Sequence, residues 1–139
     1  MKIVYCRKNN YFLRFDPGEE VMRGLTNFAK SHKIGSAKFS AIGAASELKL
    51  SFYDLVKRRY ADKHFQKDFE IASLIGNIAW LGHEPVVHAH GSFSDKTFKT
   101  LGGHVKMLKI SATCEVTLVA YSDKTKRIYN NKTGLNLLT

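Results

Sequence analysis

The chain has 139 residues, which is enough for one domain with a hydrophobic core and too few for two. Hydrophobic residues make up 44% of the sequence and aromatic residues 12%, as in a globular protein, and no apolar run reaches the length of a transmembrane helix. The 22 basic and 12 acidic side chains give a formal charge of +10, which favours a polyanionic partner such as DNA but is also typical of a lysine-rich solvated surface.

The N-terminal residues and the cysteines indicate a cytoplasmic protein. The chain is basic by Lys8 and starts without the apolar stretch of a signal peptide. Cys6 and Cys114 each lie in an apolar segment, so we expect small buried hydrophobic residues and no disulfide. These features predict a single domain over residues 1–139, no membrane association and a cytoplasmic location.

The chain begins with a predicted β-hairpin. Residues 3–7 and 11–15 are strand-like, and Asn9-Asn10 suits the positive φ of a two-residue turn. A helix follows, with Asp16 as the predicted N-cap and Glu19 as its capping-box partner. The apolar residues that share one face of this helix are Val21, Leu25, Phe28 and Ala29.

The middle of the chain reads as β-strands. Residues 36–53 alternate as a half-buried strand does, although the small residues 42–46 predict a bulge or bend. Residues 60–65 are a short return strand, and residues 69–80 are a strand with a predicted bulge near Gly76.

The last third of the chain continues the β pattern. Residues 85–93 alternate with a period of two, residues 105–121 are rich in β-branched side chains, and a turn is expected at 130–134. Many strands with one clear helix predict an α+β fold, in which a mainly antiparallel sheet is flanked by one or two helices.

Three histidines form the strongest candidate for a functional site. His88 and His90 project from the same face of one predicted strand, about 7 Å apart at their Cα atoms. His104 follows a Gly-Gly pair, where the backbone can turn sharply and approach closely, as in a loop that delivers a ligand or in an ordinary tight turn. Three neutral imidazoles with an open fourth position predict a zinc site, and imidazoles also suit nickel, copper or iron.

An alternative set of ligands comes from the spacing of a cupin motif. Gly82, His88, His90, Asp95 and Gly102 approximate the first motif of that fold, with Asp95 as the third ligand in place of His104. The second cupin motif requires a proline before another histidine. The only prolines of the chain are Pro17 and Pro85, so that second motif is absent.

The chain resembles the PPC (plants and prokaryotes conserved) domain, stand-alone prokaryotic type, over nearly its whole length. The segments that carry the resemblance are Pro17-Gly18-Glu19, Ser40-Ala41-Ile42-Gly43-Ala44, Leu50-Ser51-Phe52-Tyr53-Asp54, residues 69–78, His88-Ala89-His90, Gly102-Gly103-His104 and Thr113-Cys114-Glu115-Val116.

This resemblance implies an α+β domain that assembles as a homotrimer. It also implies that His88, His90 and His104 correspond to the three histidines that can bind zinc in prokaryotic members. Plant members carry AT-hook motifs and are linked to DNA and transcription factors, whereas this sequence has no Arg-Gly-Arg core. Minor-groove binding by that motif is therefore not expected here.

Carboxylates near the histidines are candidates for proton transfer. Glu70 and Glu115 are the candidate catalytic residues if the metal activates water for hydrolysis or hydration. Asn77 and Glu47 are further candidates for lining the same cleft.

Three functions remain open from the sequence. The first is a DNA-associated or transcription-associated regulatory protein with a zinc site. The second is a zinc-dependent hydrolase or lyase that acts on a small polar substrate in a cleft between subunits. The third is an interaction scaffold whose histidines are vestigial.

Overall fold

The structure is a computed structural model that describes residues 1–139 and contains nine β-strands and one α-helix. In chain order the elements are β1 (Lys2–Arg7), β2 (Asn10–Phe15), α1 (Val21–Ser31), β3 (Ser36–Asp54), β4 (Arg59–Phe65), β5 (Phe69–Leu81), β6 (Glu84–Ser94), β7 (Thr100–Tyr121), β8 (Arg127–Asn130) and β9 (Leu135–Leu138). The predicted mainly antiparallel α+β fold is confirmed. One helix flanks the sheet, which agrees with the one or two expected.

Four strands of the main sheet close into a ring. The sheet has the order β1-β2-β7-β6-β5-β3-β4, and β7 also pairs with β3, so that β3, β5, β6 and β7 form a continuous cycle of antiparallel pairs. This closure is possible because β3 and β7 are 19 and 22 residues long and pair with different neighbours along their length. The strands β8 and β9 form a separate C-terminal hairpin.

The hydrophobic core lies inside this ring and under α1. Buried side chains from the four strands include Phe39, Leu48, Leu74, Ile78, Phe93, Leu108, Ile110 and Leu118. The helix packs against β6 and β7 and buries Val21, Leu25, Phe28 and Ala29, the face predicted from their spacing. The three histidines lie on the opposite, outward side of the sheet.

The helix begins at Val21, four residues after the predicted start at Pro17. Gly18 has a φ of +83°, which interrupts helical backbone at that point. Its N–H donates to the Ile110 carbonyl at 2.9 Å, and the Ile110 N–H donates to the Glu19 carbonyl at 3.0 Å. The segment therefore pairs with β7 before the helix starts.

Glu20 is the N-cap in place of Asp16. Its carboxylate accepts hydrogen bonds from the backbone N–H groups of Met22 (3.0 Å) and Arg23 (2.7 Å). It also accepts from the Leu108 N–H of β7 at 3.0 Å. One side chain thus satisfies two free donors of the helix and ties α1 to the sheet.

Two details of the N-terminal hairpin differ from the prediction. The turn residues are Lys8 and Asn9, because Asn10 already pairs with Val119 of β7 and so belongs to the strand. Cys6 is exposed, since β1 is an edge strand with nothing packed over it, whereas Cys114 is buried as expected. Burial raises the pKa of the Cys114 thiol to about 12.

The main irregularity of β3 was predicted, but that of β5 was misplaced. Register shifts occur in β3 between Ala41 and Glu47, within the segment of small residues, and a further shift that was not predicted lies between Lys49 and Leu50. In β5 the shift lies between Ile71 and Ser73, and Gly76 sits in regular pairing. Glycine is required at 76 by close approach, because a Cβ there would lie 2.4 Å from the Phe39 ring.

No helix of the protein is both long enough and apolar enough to span a lipid bilayer.

Candidate metal centre

Two adjacent strands bring the three histidines together. His88 and His90 lie on β6 and flank the buried Ala89, so both imidazoles point to the outward face. His104 lies on β7 directly opposite His90 in the pairing of these strands. The third imidazole therefore comes from the neighbouring strand and not from a loop.

The glycines before His104 allow the two strands to approach. Gly102 and Gly103 pair with Ser92 and Gly91 of β6. A Cβ on Gly102 would lie 2.8 Å from the Gly91 carbonyl oxygen, which is closer than real side chains come. The Gly-Gly pair therefore lies within β7 at a close strand contact, and not in the loop or tight turn that was expected.

The distances among the three imidazoles suit one metal ion. The ring centroids of His88, His90 and His104 are 5.1 to 5.5 Å apart, and one ring nitrogen from each lies within 4.8 Å of the others. Tetrahedral zinc with bonds of about 2.0–2.1 Å needs nitrogens roughly 3.4 Å apart, so small rotations of the rings suffice. Three neutral imidazoles fit zinc in both donor type and spacing.

The surroundings of His88 and His104 favour the neutral forms of these two imidazoles. Burial lowers the pKa of His104 to about 4, and positive charge that would form on His88 and His90 adds to this effect. Burial, followed by the charge of Arg127, also lowers the pKa of His88. Since a metal ion binds only the neutral imidazole, the site is prepared for a metal at neutral pH.

The depressed pKa of His104 should make the metal-free protein sensitive to acid. Between pH 6.5 and pH 4 the unfolded chain binds a proton at His104 that the folded chain does not, so stability falls as pH falls through this range. Because the ring is half exposed, we expect a loss of about 1 kcal/mol, or about 3 °C in Tm. Melting curves at pH 7 and pH 4.5 should show a smaller fall in Tm on acidification for His104→Gln than for the unchanged protein. Equal falls in Tm would contradict this account.

One side of the site is formed by residues that the sequence did not single out. The Tyr60 ring stacks on His104 with centroids 5.4 Å apart, and the Lys106 ammonium lies 4.6 Å from the Tyr60 centroid. Asp62 accepts from Ser51 at 2.6 Å and pairs with Lys106 at 3.0 Å. These bonds hold the pKa of Asp62 well below its usual range, which makes it a poor proton acceptor.

The other side of the site is formed by the C-terminal hairpin. Arg127, the first residue of β8, donates from Nη2 to the Asn77 side chain at 2.6 Å and from Nη1 to the Asn136 carbonyl at 3.2 Å. Asn77 lies opposite His88 in the β5–β6 pairing, so its side chain is on the face of the histidines. The structure thus places Asn77 beside His88, whereas Arg127 was missed.

Within the single chain the candidate carboxylates lie away from the histidines. Glu70 is seven residues from Asn77 along β5, which corresponds to roughly 20 Å. Glu115 is on the same strand as His104, eleven residues further along β7, which corresponds to roughly 35 Å of strand. Glu47 pairs with His64 at 2.8 Å. The chain therefore brings none of these three side chains to the cluster.

Asp95, the third ligand of the cupin alternative, is engaged elsewhere. It lies in the turn after β6, where it accepts from Thr97 at 2.7 Å and from the Lys67 ammonium at 3.2 Å. The cluster with metal-binding geometry contains His104 and not Asp95.

Comparisons with known proteins agree with this arrangement. The family model of the Plants and Prokaryotes Conserved (PCC) domain matches residues 6–122. Among curated proteins, no sequence matches the chain.

Solved structures similar to the chain come from bacteria and archaea. A "putative DNA-binding protein" from Ralstonia eutropha is 31% identical with a TM-score of 0.90, and the match covers 96% of this chain and 92% of that one. A plant- and prokaryote-conserved (PPC) protein from Pyrococcus horikoshii is 30% identical with a TM-score of 0.86, covering 94% and 90%. A metal-containing protein from Archaeoglobus fulgidus is 28% identical with a TM-score of 0.87, covering 100% and 99%.

Proposed function

Because the chain belongs to the Plants and Prokaryotes Conserved (PCC) domain family, we propose that it is a metal-binding protein whose His88, His90 and His104 hold one zinc ion. The observation that carries this proposal is the approach of three ring nitrogens from two strands to within 4.8 Å of one another. The similarity to a metal-containing archaeal protein supports it. A zinc ion held by three imidazoles keeps a fourth position for water or a ligand and lowers the pKa of a bound water to about 7.

Elemental analysis of the purified protein tests this proposal. We expect one zinc per chain, and none in a His88→Ala variant that remains folded. One ion of nickel, copper or iron per chain would support the three-histidine site but show that its metal is not zinc. A metal-free protein that takes up no added zinc would favour the scaffold with a vestigial site.

DNA association is the second function that we propose, with the protein acting as a cytoplasmic regulator. It is supported by the charge of +10 and by the similarity to the "putative DNA-binding protein" of Ralstonia eutropha. The exposed basic residues Lys57, Arg58 and Arg59 cluster at the end of the turn before β4 and at the first residue of that strand.

Binding to duplex DNA should weaken steeply with salt if this second function is correct. Four phosphate contacts would reduce affinity by about 100-fold between 50 and 200 mM salt, because each contact releases counterions. The slope of the logarithm of affinity against the logarithm of salt concentration should become shallower by about one in Arg59→Gln, if that side chain contacts phosphate. A gel shift or fluorescence titration measures both effects. No binding at 50 mM salt, or an affinity that does not change with salt, would exclude DNA association.

We also propose that the protein is a homotrimer. The outward face of the sheet exposes apolar side chains, including Val4 (64% exposed), Ile75 (64%) and Ile42 (59%), and these continue the surface that bears the histidines. A second copy over this face would remove them from water. One chain has a mass of 15.7 kDa, and light scattering should give three times this value. The mass of a single chain would contradict the trimer.

A zinc-dependent hydrolase or lyase remains an alternative. Polarised water at the metal would need a nearby group to accept its proton. Glu70 and Glu115 could serve only if a second subunit placed them beside the histidines, because both lie away from these within one chain. The assembled structure decides whether either carboxylate has a catalytic role.

A further inference from the structure

Arg127 carries a positive charge that no carboxylate of the chain balances. The residue is only 8% exposed, and no Asp or Glu oxygen lies within ion-pair distance of its guanidinium. Its two hydrogen bonds go to neutral acceptors, Asn77 and Asn136, and its Nε is buried without a partner. An uncompensated buried cation is costly, so an anion bound beside it would offset that cost.

The guanidinium lies next to the histidine cluster. It is 2.6 Å from the side chain of Asn77, which faces His88 across the strand pair. Tyr60 stacks on His104, so the cluster has Tyr60 beside one imidazole and Asn77, which holds Arg127, beside another.

The guanidinium keeps donors free for a ligand. It has five N–H groups, of which one on each Nη is used in the bonds to Asn77 and Asn136. One N–H on each Nη therefore has no partner within the chain. A planar group with two such donors suits the paired oxygens of a carboxylate or phosphate.

We propose that the histidine cluster and Arg127 together form a binding site for a small oxyanion, either a carboxylate or a phosphate group. One oxygen of the ligand would occupy the open position at the metal and another would accept from the guanidinium. This inference rests on the proposed metal site. It assigns ligand recognition to the C-terminal hairpin, since Arg127 lies beyond residues 6–122 that match the family model.

The test uses the full chain loaded with cobalt(II), whose visible absorption reports a change in the coordination of the metal. Cobalt content is measured first. Acetate and inorganic phosphate are then titrated separately into the unchanged protein and the variants Arg127→Gln, Arg127→Lys and Lys132→Gln. Lys132 is the matched control, because it is a cation of the same C-terminal hairpin but is exposed.

We expect a saturable spectral change with at least one of the two anions in the unchanged protein. The affinity should fall at least tenfold in Arg127→Gln, less in Arg127→Lys, and not at all in Lys132→Gln. A response to acetate alone would assign a carboxylate, and a response to phosphate alone would assign a phosphate group.

Three results would overturn the inference. These are a cobalt-loaded protein that responds to neither anion, equal affinities in the unchanged protein and Arg127→Gln, and loss of cobalt from Arg127→Gln. The last would show that Arg127 acts by holding the histidines in place. A chain that binds no cobalt at all would instead refute the proposed metal site, so the two failures are distinguishable.

Discussion

Replacing His104 with alanine is expected to weaken zinc binding at least about 100-fold, because one of three ligands is lost and the two that remain lie on one strand. Changes to groups that only orient a ligand already cost 10- to 100-fold in affinity, so loss of a ligand should cost at least as much. Competition with a chelator of known affinity measures the effect. Because the ring is half exposed, the variant should still fold.

His64→Ala is the matched control for this experiment. His64 is also a strand histidine of the main sheet, but it is exposed and bonded to Glu47. Its removal should leave the zinc affinity unchanged. Equal losses in the two variants would mean that zinc binds to scattered surface imidazoles and not to the cluster.

Replacing Gly76 with alanine is expected to destabilise the protein by about 3 kcal/mol, which corresponds to about 10 °C in Tm. The added Cβ would lie 2.4 Å from the Phe39 ring and 2.5 Å from the His88 carbonyl oxygen. Phe39 is buried in the core, and the carbonyl belongs to the strand that holds two of the ligands, so neither can move freely. Thermal unfolding measures the loss.

Gly103→Ala is the corresponding control. A Cβ at 103 would meet no atom closer than 3.4 Å, although the residue is next to a ligand. The two variants should therefore differ by at least about 2 kcal/mol. Similar stabilities would contradict the close packing of β5 against β3 and β6.

The parts of the site that the sequence predicted are those set by local pattern. Alternation along one strand placed His88 and His90 on a common face, and the Gly-Gly pair before His104 marked a close backbone approach. Both signals depend on a few neighbouring residues, and the structure brings the three imidazoles together.

The parts that were missed depend on pairing between distant segments. Tyr60 reaches His104 because β4 and β7 lie on either side of β3, and Arg127 reaches Asn77 because the C-terminal hairpin folds back to β5. Because the register shifts within β3 and β5, the periodicity of the sequence does not show which residues of distant strands pair. The helix start was misplaced for a similar reason, since Glu20 caps α1 while it also bonds β7.

X-ray absorption spectroscopy of the zinc-loaded protein tests the central claim most directly. Three imidazoles from two strands should give nitrogen scatterers at about 2.0–2.1 Å, with a further light atom in the fourth position. In His104→Ala the number of imidazole ligands in the spectrum should fall by one. A sulfur scatterer at about 2.3 Å, or a spectrum that the His104 substitution leaves unchanged, would show that the metal is bound elsewhere.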